Sequence, residues 1–190
     1  MAGPRILYLH GFCSSPASWK ARLLSSRLGA AGLGDRFACP LLPPVPLAAI
    51  ATAEALLASS DAPTTLVGSS LGGYYASWLA EKHDLRAVLI NPAVMAPVLL
   101  AELVGTHNNF HTGETFQFSR EHVEQLYALD TPCVTPSRYL LLVETGDEVL
   151  DYRRAAARYA GSCQRILPGG DHSFTRFPEF VPQIIEFCGL

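Results

Sequence analysis

No CxxC pair and no run of residues at metal-ligand spacing occurs in this chain. That removes the usual signatures of a zinc site and of a thioredoxin-like redox centre. The five cysteines, Cys13, Cys39, Cys133, Cys163 and Cys188, are widely spaced and odd in number, which predicts free thiols in a reducing compartment. Charged residues make up only 16% of the chain and the net charge is −3, with Lys and Arg scattered. Neither a nucleic-acid footprint nor a polybasic membrane patch is present. No signal-type apolar stretch opens the sequence, and no uninterrupted apolar segment is long enough to span a bilayer. These features predict a soluble, cytoplasmic protein. Internal repeats and low-complexity tracts are also missing. What remains is 49% hydrophobic residues in 190, enough for one globular domain with a substantial core.

Short apolar runs alternate with helix-like segments along the chain. Strands are predicted at residues 5–10 (RILYLH), 36–39, 64–68, 86–90 (RAVLI), 138–143 (RYLLLV) and 164–167. Helices are predicted at 18–31, 47–59, 71–82, 151–160 and 178–188, with a stiff proline-rich loop at 40–46. The strands read as continuous apolar runs, as strands do when both faces of a parallel sheet are covered. The fold class predicted is α/β: a mostly parallel sheet of about six strands with helices on both faces, in a single domain over 1–190. Right-handed crossovers then gather the strand C-termini along one edge, where ligands bind. Residues 93–136 are too long for a simple connection. They hold an apolar stretch, a polar loop at 105–115 and a helical stretch at 119–129, and predict a small helical lid over that edge.

The most informative segment is Gly68-Ser69-Ser70-Leu71-Gly72. It follows a predicted strand and opens a predicted helix, the context of a nucleophile elbow. A serine hydroxyl is a weak nucleophile unless a base lies within hydrogen-bond reach and an acid orients that base. Downstream, Asp147 follows the strand 138–143, and His172 lies in the glycine-bearing loop after 164–167. Chain order Ser70, Asp147, His172 and the placement at strand ends both fit a catalytic triad. The turn after the first strand, His10-Gly11-Phe12, supplies the amide of Phe12, which with that of Leu71 forms a predicted oxyanion hole.

Each assignment has a competitor. Ser70 as a plain turn serine is one. Asp151 as the acid, with Asp147 capping a helix, is another. Glu148 is expected to point to the opposite side of an extended segment, and Asp171 to hold the loop that carries His172. His10 is expected to shape the oxyanion turn through hydrogen bonds. His107, His111 and His122 are read as a solvated lid face, because Asn108, Asn109 and Gly113 argue loop and no carboxylate cluster accompanies them. Cys13 lies near the site without a histidine-centred arrangement, and the glycine-rich segment lacks the Lys of a phosphate-binding loop. Val94, Met95, Val98 and Leu99 either line an acyl pocket or pack the lid onto the body.

Taken together, LYLHGFCSSP (7–16), LLPP (41–44), VGSSLGGYYASWLA (67–80), NPAV (91–94), TGDEVLDYR (145–153) and GGDHSF (169–174) resemble the YqiA/YcfP-type bacterial esterases of the α/β-hydrolase superfamily. The resemblance implies an α/β-hydrolase fold with Ser70 as nucleophile, Asp147 as acid and His172 as base. It also implies hydrolysis of carboxylic esters or thioesters of acyl chains; acyl-CoA thioesters are one substrate class in view, and acyl transfer on such a triad calls for no metal and no organic cofactor. The expected partner is therefore a small-molecule acyl ester or thioester. An amide or peptide hydrolase on the same triad, and a binding protein that keeps the fold without turnover, are the alternatives.

Overall fold

The computed structural model describes residues 3–190. Its main sheet has six parallel strands in the order β2-β1-β3-β4-β7-β8. They are β1 (Arg5–Leu9), β2 (Phe37–Ala38), β3 (Thr64–Ser69), β4 (Arg86–Ile90), β7 (Tyr139–Glu144) and β8 (Cys163–Leu167). The chain runs outward from β1 to β2, then returns to lay β3 on the other side of β1. Strand order reverses at that point, which opens a crevice beyond the C-terminal ends of β1 and β3.

Alternation along each strand explains why the sequence shows apolar runs instead of a polar–apolar beat. Leu7, Leu9, Leu66, Leu89, Leu141 and Val143 face one layer, which contains α2 (Pro46–Ala58), α3 (Leu71–His83), α5 (Arg120–Ala128) and α6 (Tyr152–Arg158). Ile6, Tyr8, Val67, Val88, Leu140 and Leu142 face the other, built from α1 (Trp19–Ala30) and α7 (Phe177–Phe187). All six residues of β7 are buried. Each such Leu or Val contributes about 1.5–3 kcal/mol by leaving water, so a strand covered on both sides has no room for a polar face. The α/β arrangement predicted from the apolar runs is the one observed, and element ends fall within a residue or two of the predicted ones.

The insertion differs from expectation in one respect. It begins with α4 (Ala96–Ala101) and closes with α5, but between them a two-stranded antiparallel hairpin, β5 (Gly105–Asn108) and β6 (Thr115–Phe118), replaces the predicted polar loop. The hairpin exists because Phe116 and Phe118 alternate with polar residues and turn toward the body, where Phe118 is buried. Its tip is an Asx turn: Asn109 Oδ1 accepts from the amides of His111 and Thr112. Asn, Gly and Thr at the tip mask the short period-2 signal.

Candidate active site

Residues with chemical potential gather at the C-terminal edge of the sheet. Ser70 follows β3, Phe12 follows β1, Asn91 follows β4, Asp147 follows β7 and His172 follows β8. Ser70 has φ 55° and ψ −120° and stands at the N-terminus of α3. Its backbone is fixed by an N–H bond to Ile90 O and by amides of Gly73 and Ala93 donating to its carbonyl. A non-glycine residue at positive φ costs on the order of 1–3 kcal/mol and persists only where its surroundings hold it. The flanking glycines are required by close approach. A Cβ on Gly72 would lie 2.0 Å from Leu9 O, and one on Gly68 would lie 2.3 Å from Gly72 O. Strand, elbow and helix therefore pack backbone to backbone, which projects the Ser70 side chain out of the sheet edge.

Folding brings Ser70, His172 and Asp147 into one hydrogen-bonded chain. His172 Nε2 lies 3.1 Å from Ser70 Oγ, and His172 Nδ1 lies 2.8 Å from Asp147 Oδ2. A carboxylate can only accept, so Nδ1 carries the imidazole proton and Nε2 presents its lone pair to the serine hydroxyl. Asp147 is held in turn: its Oδ1 accepts from the amides of Val149 and Leu150 at 2.9 and 2.8 Å. Its side chain is 2% exposed against 24% for His172, so the carboxylate is enclosed while the imidazole lines the cavity. The competing carboxylate Asp151 instead caps α6, accepting from the amide of Arg153.

Glu148 departs from the predicted orientation. Residues 145–148 form a turn, not an extended segment, so the alternation rule does not apply. Glu148 Oε2 accepts from the His172 amide at 2.9 Å, and bonds from its own and the His172 backbone amides hold its carboxyl below the usual range. Asp171 acts through its main chain. Its amide donates to Glu144 Oε2 and its carbonyl accepts from Asn91 Nδ2, while its buried Oδ1 has no partner among the described residues.

On the other wall, the chain at Gly11 passes so close that a Cβ there would meet Ser70 Cβ at 3.3 Å. The amides of Phe12 and Leu71 donate to no protein acceptor among the described residues, and both residues line the cavity that holds Ser70 and His172. His10 fixes this turn. Leu42 N–H donates to its Nε2 at 3.0 Å, so the ring proton is on Nδ1, 3.0 Å from Gly11 O. Burial lowers the His10 pKa, which keeps the ring neutral and both bonds intact. The Phe12 ring meets His107, Phe116 and Phe118 of the hairpin region edge-on, with centroids 5.2–5.8 Å apart. The hairpin tip is bonded to the same loop, through Phe110 N–H to Cys13 O at 2.9 Å and Asn109 Nδ2 to Ser14 O at 2.7 Å.

The cavity above Ser70 has a volume of about 730 Å³. Leu99, Leu100 and Leu103 of the insertion line it, as do Val149 and Trp19. Of the four apolar residues singled out from sequence, Leu99 lines the cavity, Val94 and Met95 pack into the core, and Val98 is exposed. Leu100, on α4, and Leu103, in the turn after it, belong to the same apolar stretch and also line the cavity, though the sequence did not single them out for it. Cys13 is buried, and burial raises its thiol pKa, which leaves it a poor nucleophile. The insertion's histidines do not cluster, and His111 lines the cavity that holds Ser70. His107 contacts Leu103 O, and His122 Nδ1 accepts from the Ser119 amide at the start of α5. Among the described residues no three potential metal ligands come together, and no helix is long and apolar enough to cross a membrane.

Comparison with known proteins agrees with this architecture. Alpha/beta hydrolase domain-containing protein 10 from mouse superposes with a TM-score of 0.73 at 16% identity, over 100% of this chain and 90% of that one. A structure from the metagenome-derived lipolytic enzymes LipS and LipT gives 0.72 at 18% identity, over 98% and 93%. Est1E from Butyrivibrio proteoclasticus, with ferulic acid bound, gives 0.68 at 15% identity, over 97% and 87%. At such identities the likeness establishes the α/β-hydrolase fold. The model of an uncharacterised protein family, UPF0227, matches residues 5–189, and the chain belongs to that family, the YqiA family.

Proposed function

We propose that this protein is a serine esterase or thioesterase that cleaves acyl esters through an acyl-enzyme on Ser70. The observation that carries the reading is the imidazole bridging a hydroxyl at 3.1 Å and an enclosed carboxylate at 2.8 Å. His172 Nε2 takes the Ser70 proton as Oγ attacks the acyl carbonyl carbon. The carbonyl oxygen becomes an oxyanion between the Phe12 and Leu71 amides, each such donor contributing about 2.7–4 kcal/mol in the transition state. His172 then passes its proton to the leaving alkoxide or thiolate, leaving the acyl group on Ser70. Water attacks next, its proton goes to Nε2, and the serine is regenerated as the acid product leaves. Asp147 fixes the tautomer and stabilises the imidazolium. No step calls for a metal or an organic cofactor.

In this reading the chain works as one domain with residues 93–136 as its lid, whose Leu99, Leu100 and Leu103 receive the apolar part of the substrate. The lid hairpin has a further task, to hold the oxyanion loop through Asn109. Asn109→Ala removes the 2.7 Å bond to Ser14 O. The expected result is kcat about tenfold lower with KM changed little, because a donor aimed at the oxyanion serves the transition state and not ground-state binding. A rise in KM at unchanged kcat would assign Asn109 to substrate binding instead.

The functional test is a panel of acyl esters and acyl-CoA thioesters of graded chain length, each with a matched amide. Esters and thioesters are expected to turn over and amides to lag, because an amine leaving group needs earlier protonation. Amide cleavage at comparable rates favours the peptidase alternative. No turnover across the panel favours a binding protein on a hydrolase fold.

A further inference from the structure

The loop that carries His172 is held from beneath by side chains remote in sequence. Asn91 Nδ2 donates to the carbonyls of Asp171 and His172 at 3.0 and 3.3 Å, and Glu144 Oε2 accepts from the Asp171 amide at 2.9 Å. Lys20, on α1, donates from Nζ to Ser173 O at 2.7 Å across 153 positions of sequence. It is 8% exposed, rare for an unpaired lysine. Glu144, at the end of β7, is fully buried. Glu144 Oε1 and Asp171 Oδ1 are enclosed with no hydrogen-bond partner among the described residues. Gly170 shows how tightly the loop is drawn in: with φ +76°, a Cβ there would lie 2.1 Å from Glu144 Oε2. An isolated buried carboxylate is costly unless a cation faces it. Lys20 makes no direct ion pair among the described residues, but the charges of Asp171, Glu144 and Asp147 act on its ammonium through space, and the Trp19 ring on its own helix lies 5.5 Å away.

We propose that Lys20 is a positioning residue for the imidazole of His172: its ammonium holds the Ser173 carbonyl while balancing the buried carboxylates beneath the loop. This inference rests on the assignment of His172 as the base. A charged Lys20 anchors the loop by a charge-assisted bond and offsets the negative field of Glu144 and Asp171. When its proton leaves, the charge-assisted bond to Ser173 O weakens and the loop that aims the imidazole at Ser70 loosens. Burial pulls the Lys20 pKa down to about 8, with Asp171, Glu144 and Asp147 opposing the shift. The charge is therefore present below that value and lost as pH rises through it. Reactivity of the serine should therefore be lost on the alkaline side.

The experiment needs no knowledge of the natural substrate. A fluorophosphonate is displaced at phosphorus by Ser70 Oγ, with fluoride leaving and the serine proton passing to His172. Its second-order rate is measured from about pH 6 to 10 for wild type, Lys20→Met and Lys20→Arg, with circular dichroism as the folding control. Wild type should lose rate on the alkaline side with a midpoint about 8. Lys20→Met should react about 10- to 100-fold more slowly at its maximum, as small misplacement of a base costs that much, and should lack the alkaline fall. Lys20→Arg keeps its charge across the range, so the fall should disappear while most of the rate returns. If Lys20→Met does not fold, Lys20→Arg alone decides. A wild-type rate that holds to pH 10, or variant profiles that are scaled copies of wild type, would overturn the inference and leave the esterase reading standing. Wild type that takes no label at Ser70 would overturn both.

Discussion

Replacing Ser70 with alanine is expected to lower ester turnover by about 10⁴- to 10⁶-fold while the protein stays folded. The size of the loss follows from covalent catalysis. Without Oγ there is no acyl-enzyme, and the route that remains is direct attack by water helped by the oxyanion amides and by binding. The fold should survive because every bond that fixes the elbow uses the Ser70 backbone: its N–H to Ile90 O, and its carbonyl receiving the amides of Gly73 and Ala93. Alanine meets the same positive φ as serine, so the strain is already present in the native chain. Initial rates on the best ester of the panel, paired with circular dichroism, measure both halves. Residual activity above about one hundredth of wild type would remove Ser70 from the mechanism.

Asp147→Asn is expected to cost about 10³- to 10⁴-fold in kcat with KM little changed. Asparagine has one acceptor oxygen where aspartate has two. The amides of Val149 and Leu150 already direct donors at the Oδ1 position, so the asparagine oxygen settles there and its NH₂ turns toward His172. The imidazole must then accept at Nδ1, which moves its proton to Nε2 and leaves no lone pair for the Ser70 hydroxyl. Asp151→Ala is the matched control. It removes the cap of α6, costing about 1 kcal/mol of stability, and should leave turnover near wild type. Denaturant melts and kinetics on the two variants distinguish a carboxylate that orients the base from one that ends a helix. Loss of turnover in Asp151→Ala with retention in Asp147→Asn would reverse the assignment.

What could be read along the chain was what local chemistry dictates. RAVLI and RYLLLV announce strands because both their faces are covered, and the glycines around Ser70 announce the elbow because helix and strand backbones touch there. Asp147 and His172 could be singled out because each lies in a loop a few residues beyond a strand end, and the structure brings both onto one hydrogen-bonded chain with Ser70. The hairpin β5–β6 was not visible: its buried side is two phenylalanines long, and its tip of Asn, Gly and Thr looks like open loop. The contact of Glu148 with the His172 amide depends on the turn at Gly146, which no alternation pattern reports. Lys20, Asn91 and Glu144 escaped for a more general reason. Their partners lie 153, 80 and 27 positions away, and a polar residue in a buried element shows its purpose only when the element opposite is in place.

The most direct test of the central claim is chemical labelling of the folded protein with a fluorophosphonate, followed by peptide mapping, with urea-unfolded protein alongside. Activation of Ser70 by His172 predicts one adduct, on Ser70, formed by the folded protein and not by the unfolded chain. An unlabelled folded protein, or an adduct on Cys13 or another residue in place of Ser70, would contradict it.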